Sequence, residues 1–191
     1  RLHTIVALVE MGRDEAVRLA TTEFELSQQL IDRMTQAVAE PALVALLLGK
    51  TAQAAERGIP LSLTEESQVS DAATRVLTPG EMITVVGNLI DNALDACDPA
   101  DPWVEVTVVG DDRMLDIVVA DSGAGMNAEL FERATTRGYS TKAGGDAAGR
   151  GLGLALVSQV VARRHGTISA ENTYGSVISV HMRVDEQAGT P

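Results

Sequence analysis

Two carboxamides, one carboxylate and a run of glycines in this sequence could together hold a nucleoside triphosphate. The carboxamides lie in Asn88-Leu-Ile-Asp-Asn92-Ala-Leu-Asp-Ala96. Residues four apart share a helix face, so Asn88 and Asn92 leave it together. A carboxamide oxygen is a neutral hard ligand, able to hold Mg²⁺ beside phosphate oxygens without adding negative charge. Two surface asparagines on a helix would look the same, but asparagine is a poor helix former and this pair borders an apolar face. The carboxylate belongs to Asp121-Ser-Gly123-Ala-Gly125-Met126, directly after the run Leu115 to Ala120. An aspartate at a strand end can accept a hydrogen bond from an exocyclic amine, and glycines beside it admit a flat base and permit positive φ. The same composition also serves an ordinary turn. The glycines are those of Gly149-Arg-Gly151-Leu-Gly153-Leu154, which opens an apolar helix. Backbone N–H groups there can point at phosphate oxygens, aided by the helix start. No strand directly precedes this stretch and no Gly-Lys-Ser/Thr follows, so it is neither a dinucleotide fingerprint nor a P-loop. A glycine-rich linker is the alternative, but linkers do not usually run into an apolar helix.

These residues need elements to carry them. Leu2, Ile5, Val6 and Val9 sit at helical spacing, and Gly12-Arg13-Asp14 reads as a turn. A longer helix is expected from about Asp14 to Glu40, where Val17, Phe24, Ile31 and Val38 recur every seven residues with Ala20, Ser27 and Met34 in the companion seam. Two helices with so small a core need a partner copy. Pro41 ends that helix. Ala42 to Arg57 reads as a second apolar helix stopped by Gly58, Ile59 to Leu63 as a strand, and Glu65 to Thr78 as mostly loop. Thr78-Pro79 is a helix-start signal. The helix Gly80 to Cys97 should bury Met82, Val85, Val86, Leu89, Ala93 and Ala96, with Thr84, Asn88, Asn92 and Asp95 on another face. Pro99 to Pro102 makes a turn. Val104 to Val109 and Leu115 to Ala120 form a hairpin about Gly110-Asp111-Asp112. A glycine-rich region runs on to Gly153. Leu154 to His165 is a helix closed by Gly166, and Thr167 to Glu171 pairs with Ser176 to Val184. This order predicts an α+β protein: a two-layer sandwich, with helices on one face of a mixed sheet, preceded by a helical hairpin.

Composition narrows the partners. With 191 residues and 45% hydrophobic content the chain can bury one good core, and at 3% aromatic content that core must be Ala, Val, Leu and Ile. A net charge of −12 repels nucleic acid and anionic membrane surfaces. Cations gather between Arg133 and Arg150, where Arg133, Arg137, Lys142 and Arg150 stand against Glu132 and Asp146. This is either a nucleotide-facing cluster or a solvated loop. The single cysteine, Cys97, can form no internal disulfide and reads as a small helix-packing residue. The longest apolar stretch, Ala42 to Leu48, is too short to span a bilayer, and the chain reads as a soluble piece of something larger.

Taken in order, the three segments resemble the asparagine box and the two glycine boxes of the histidine-kinase ATPase superfamily, which also holds gyrase, heat-shock chaperone and mismatch-repair ATPases. Phe131 with Tyr139-Ser-Thr-Lys142 resembles that superfamily's phenylalanine box and mobile lid, and Tyr174-Gly175-Ser176 a last glycine box. The resemblance covers roughly Thr78 to Val184. Leu2-His3-Thr-Ile5, Pro41-Ala-Leu43, Leu46-Leu-Leu-Gly-Lys50 and Glu56-Arg-Gly58 look like the citrate and C4-dicarboxylate sensor kinases. In that family the phosphoacceptor histidine precedes the Leu-His-x-Ile segment, so His3 corresponds to a second, non-phosphorylated histidine. His165 reads as a helix-terminal histidine, and His181 has no assigned role.

The resemblance implies a domain plan: residues 1–40 a partial dimerisation hairpin without the phosphoacceptor, 41–185 the ATP-binding catalytic domain, and 186–191 a tail. It implies ATP and Mg²⁺ as ligands. Asp121 would accept the adenine amino group, with Gly123, Gly125 and Met126 shaping the base pocket. Asn92 would coordinate Mg²⁺ with Asn88 beside it, and Asp95 is a weaker candidate. Lys142 and Arg150 would meet the phosphates, with Gly149, Gly151, Leu152, Gly153 and Leu154 folding over them. Asn88, Lys142 and Arg150 are the implied catalytic set. The implied reaction is γ-phosphoryl transfer to a histidine outside this chain, for relay to a response regulator. The implied setting is a homodimeric sensor anchored in the inner membrane, with this part in the cytoplasm and not autophosphorylating alone. Hydrolytic relatives place a glutamate at the Asn88 position, and asparagine cannot take a proton. Three alternatives stay open: an ATPase of the same superfamily, an anti-sigma-type serine kinase, and a nucleotide-binding or dimerisation module without turnover.

Overall fold

The computed structural model describes residues 40–135, 153–173 and 175–184. The expected helices before Glu40, the lid around Lys142, the stretch Gly149 to Leu152, Tyr174 and the tail lie outside them.

Helix α1 (Pro41–Glu56) starts where the sequence places Pro at the first turn, with Glu40 accepting from Ala42 N–H through its side chain at 3.2 Å. It ends at Gly58, whose φ is +69°. The edge of the sheet follows as two short pieces, β1 (Leu61–Leu63) and β2 (Gln68–Val69), both parallel to the same neighbour, β3 (Val104–Gly110). In the gap between them the buried hydroxyl of Ser67 accepts from Val108 N–H at 3.2 Å, so the ladder donor is not orphaned. The stretch read as mostly loop therefore holds a two-residue strand and one 3₁₀ turn, Ala73–Arg75. Neither is long enough to carry a periodic signal.

Helix α2 (Pro79–Ala96) begins with a capping box. Thr78 accepts from Glu81 N–H at 3.3 Å, and Glu81 accepts from Thr78 N–H at 3.0 Å. Its apolar face is buried as expected at Met82, Val85, Val86, Leu89 and Ala93, but Ala96 is exposed, because the helix ends there and the chain turns away. Cys97 is the C-cap residue, half-buried against the core, with its thiol donating to Trp103 O at 3.3 Å.

Strand β4 (Met114–Asp121) pairs antiparallel with β3 around a turn in which Asp111 accepts from Arg113 and Met114 N–H. Gly110 belongs to β3 rather than to the turn. Helix α3 (Ala128–Thr135) interrupts what the sequence presents only as glycine-rich chain. Helix α4 (Gly153–Arg163) ends through His165, which takes φ +54°, followed by Gly166 N–H donating to Val161 O at 2.9 Å. The chain reverses at the histidine, one residue before the glycine expected to close the helix. Strands β5 (Thr167–Asn172) and β6 (Ser176–Arg183) complete a sheet of order β1-β3-β4-β6-β5, with β2 also on β3.

Alternate residues of β3, β4 and β6 point to one face and are buried: Val106, Val108, Ile117, Val119, Ile178 and Val180 among them. Helices α1, α2 and α4 cover that face. The fully buried apolar core is aliphatic, with no aromatic member among the described residues. Phe131 of α3 is partly buried at its margin. On the other face His181 and Asp116, direct partners in register, stand 2.7 Å apart. No described helix is long and apolar enough to cross a membrane.

Candidate functional site

Helices α2 and α4 lie antiparallel. Glu81 at the start of α2 meets Arg164 just past the end of α4, in bonds of 3.3 and 2.5 Å. At the opposite end Gly153, which opens α4, sits against the asparagines. A Cβ built on it would lie 2.9 Å from Asn88 Oδ1 and 3.6 Å from Asn92 Oδ1. Only a residue without a side chain lets the helix start approach these oxygens so closely. Asn88 Nδ2 donates to Thr84 O at 2.6 Å, which commits the nitrogen to its own helix and leaves the oxygen turned toward α4. Asn92 Nδ2 is buried and is the one such side-chain atom without a partner among the described residues.

The aspartate loop meets the same helix two turns on. Asp121 is buried at the end of β4, and its Oδ1 accepts from Gly123 N–H at 2.8 Å. A Cβ on Gly123 would collide with Ala96 O and come within 2.6 Å of Asp121 Oδ1. Glycine is thus required where the loop crosses the C-terminal end of α2. Burial pushes the Asp121 carboxyl above its ordinary range, partly offset by the Gly123 N–H and the Ser176 hydroxyl. Ser122 fastens the loop to the α2–β3 connection: its hydroxyl accepts from Asp98 and Trp103 N–H at 3.1 and 3.3 Å, and its own N–H donates to Trp103 O.

Of the expected site residues, Asn88, Asn92, Asp121, Gly123 and Gly153 are drawn together along α2 between residues 88 and 96. Gly125 has φ +69°, and Met126 beside it is half-buried against the core. Leu154 is buried beneath the start of α4. Asp95 stands exposed and ion-paired with Arg57 at 2.9 Å. Lys142, Gly149, Arg150, Gly151 and Leu152 lie outside the described residues. Two further side chains with no site role assigned from the sequence belong here. Ser176, noted in the sequence as the end of a last glycine box, bonds the Asp121 carboxylate, and Asn172 bonds the backbone of Met126. Both flank the turn between β5 and β6. The strand pairing of Asp121 with Ser176 is what gives them away.

The donor set fits a hard divalent cation: two neutral carboxamide oxygens face the same helix start, one fixed in orientation by its own amide. Among the described residues there is no cluster of acidic, histidine or cysteine ligands that would hold a metal by itself. Two neutral oxygens suit a metal that brings phosphate oxygens with it.

In sequence and in fold the chain is similar to known proteins. Residues 78–186 match the family model described as histidine kinase-, DNA gyrase B-, and HSP90-like ATPase. The chain is 32% identical over 190 residues to a probable C4-dicarboxylate sensor kinase of Halalkalibacterium halodurans, covering 95% of this chain and 35% of that protein. It is 32% identical over 199 residues to the sensor protein CitS of Bacillus subtilis, covering 100% of this chain and 35% of CitS. It therefore spans about a third of the length of these relatives. Among solved structures, the mycobacterial sensor histidine kinase MprB superposes with a TM-score of 0.58 at 21% identity, over 74% of this chain and 93% of that one. The catalytic domain of histidine kinase ThkA gives 0.56 at 21% identity, over 73% and 91%. These two likenesses speak for the mixed sheet with its helical layer. The chain belongs to the histidine kinase-, DNA gyrase B- and HSP90-like ATPase family, through residues 78–186.

Proposed function

We propose that this part of the protein holds Mg²⁺–ATP along α2 and delivers the γ-phosphoryl group to a histidine imidazole carried by another segment. The observation that carries the reading is the meeting of two glycines on one helix: Gly153 against the Asn88 and Asn92 oxygens, and Gly123 against Ala96 O and Asp121. Asp121 receives the adenine amino group, with Gly123, Gly125 and Met126 as the wall of the base pocket. Asn92 and Asn88 hold the metal, which when bound neutralises charge on the triphosphate. Gly149, Gly151, Leu152, Gly153 and Leu154 bring backbone N–H groups over the phosphates, with Lys142 and Arg150 as cations. Asp95, already held by Arg57, lies at the margin of the site. Catalysis rests on positioning and charge compensation, since a neutral imidazole is already a competent nucleophile. Asn88 cannot act as a base toward water, and its amide is bonded to Thr84 O. That favours transfer over hydrolysis.

In this reading residues 41–185 form the catalytic domain and residues 1–40 part of a dimerisation hairpin with a second copy. The phosphoryl group passes on to a response regulator. The names of the relatives support a sensor setting, and we take the whole protein to be membrane-anchored with this part in the cytoplasm. Incubation of the chain with γ-labelled ATP and Mg²⁺, beside a longer partner carrying the upstream histidine, tests the proposal. Acid-labile label on the partner is the expected result. Release of free phosphate with no labelled partner would overturn transfer in favour of hydrolysis.

A further inference from the structure

Asn172 ends β5, well outside the segments that carry the nucleotide reading, yet its side chain is bonded into the base loop. Its Oδ1 accepts from Met126 N–H at 3.2 Å, and its Nδ2 donates to Met126 O at 3.2 Å. One carboxamide thus makes with one residue the pair of bonds that a neighbouring strand would make. Gly125 adds an independent reason to see a fitted contact. Its φ is +69°, and a Cβ there would collide with the Asn172 carboxamide. The loop is glycine at this point both for its backbone turn and because Asn172 occupies the side-chain space.

We infer that Asn172 is a positioning residue for the base loop: it selects the conformation of Gly125-Met126 that receives the purine, without touching the nucleotide. The inference rests on the adenine pocket proposed above. Asn172 is exposed, so its two bonds compete with water and add little to the stability of the fold. Their effect falls on a short loop with few other ties. Ser122 holds the loop near Asp121, whereas Met126 at the far end has the carboxamide on both its N–H and its C=O. Where only a fraction of molecules has the receiving conformation, the apparent dissociation constant rises in inverse proportion to that fraction.

The test uses the whole chain and two variants. In the nucleotide-free protein the Met126 amide should exchange with deuterium severalfold faster in Asn172→Ala than in the wild type. By calorimetry Asn172→Ala should bind Mg²⁺–ATP about fivefold more weakly. The ratio of affinities with and without Mg²⁺ should stay unchanged, because the phosphate end is untouched, and Tm should move little. Asn172→Asp keeps the shape but turns a second carboxylate oxygen toward Met126 O, so at neutral pH it should bind at least as weakly as the alanine variant. Wild-type affinity in Asn172→Asp, or unchanged exchange at Met126, would overturn the inference. Absence of any ATP binding by the wild type would instead sink the nucleotide reading, while the exchange measurement would still decide whether the clamp exists.

Discussion

Asp121 shows how one residue carries a conflict between folding and binding. Its carboxyl is buried at a strand end, where among the described residues Gly123 N–H and the Ser176 hydroxyl favour its charge, and burial raises its pKa above the ordinary 3.8. A carboxyl with a raised folded-state pKa binds its proton more tightly folded than unfolded. Its contribution to stability is therefore greatest in acid and is lost as pH rises through the folded value. Asp121→Asn should keep the Gly123 contact and raise Tm at neutral pH by roughly 2–4 °C. The gain should vanish below the unfolded pKa. The same change should weaken ATP binding at least tenfold, about 1.4 kcal/mol, because a carboxamide can present its donor to the purine amine instead of an acceptor. Loss of stability with unchanged affinity would remove Asp121 from the pocket. Asn92→Ala, by contrast, should abolish the Mg²⁺ dependence of ATP binding, read by titrating with and without the metal. It should cost little stability, since Asn92 Nδ2 has no partner among the described residues.

At the scale of elements, α2 is the part on which the site is assembled, and its start was the most legible boundary in the sequence. Thr78, Pro79 and Glu81 announce the helix, and the capping box forms as those residue types require. Glu81 also reaches Arg164, and that guanidinium, with help from Thr78, holds its carboxyl down to about 2. A depressed carboxylate contributes stability that is complete above its unfolded pKa of 4.5 and fades as pH falls toward about 2. Glu81→Ala should cost roughly 1–2 kcal/mol at neutral pH, from cap and ion pair together. Its Tm should converge on that of the wild type between pH 4.5 and 2. A constant gap across that window would mean the ion pair adds nothing beyond the cap. What the sequence did not reveal at this scale has physical reasons. Strand β2 has two residues and helix α3 only eight, and neither offers enough repeats for a period to show. His165 in a left-handed conformation is invisible to propensity, because Gly166 beside it is the residue such a turn usually takes. The contact of Asn172 with Met126, and that of Ser176 with Asp121, follow from the pairing of β6 with both β4 and β5, which joins distant parts of the chain.

For the whole molecule, the alternation of β-branched residues and the order of motifs made the helix-covered mixed sheet legible from composition upward. The poverty in aromatics foretold an aliphatic core. The buried core of the described residues is contained between Leu43 and Met182. A chain of residues 41–185 should therefore fold cooperatively and bind Mg²⁺–ATP with the affinity of the longer one, as circular dichroism melting and calorimetry can show. If binding needs residues before Pro41, the proposed domain boundary is misplaced. Leu89 lies fully within the core beside Asn88, and Leu89→Ala should cost about 2–5 kcal/mol.

The Glu81–Arg164 ion pair has a mechanical consequence for the two helices it joins. Bonded at that end, they can part most easily at the other, in the manner of a clothes-peg with its spring at the arginine. From Arg164 to Gly153 the α4 axis runs roughly 16 Å, so a tilt of about 5° opens the jaws at the asparagines by about 1.4 Å. A tilt of that size would lengthen the approach of Gly153 to the Asn88 and Asn92 oxygens while leaving the Glu81–Arg164 bonds in place.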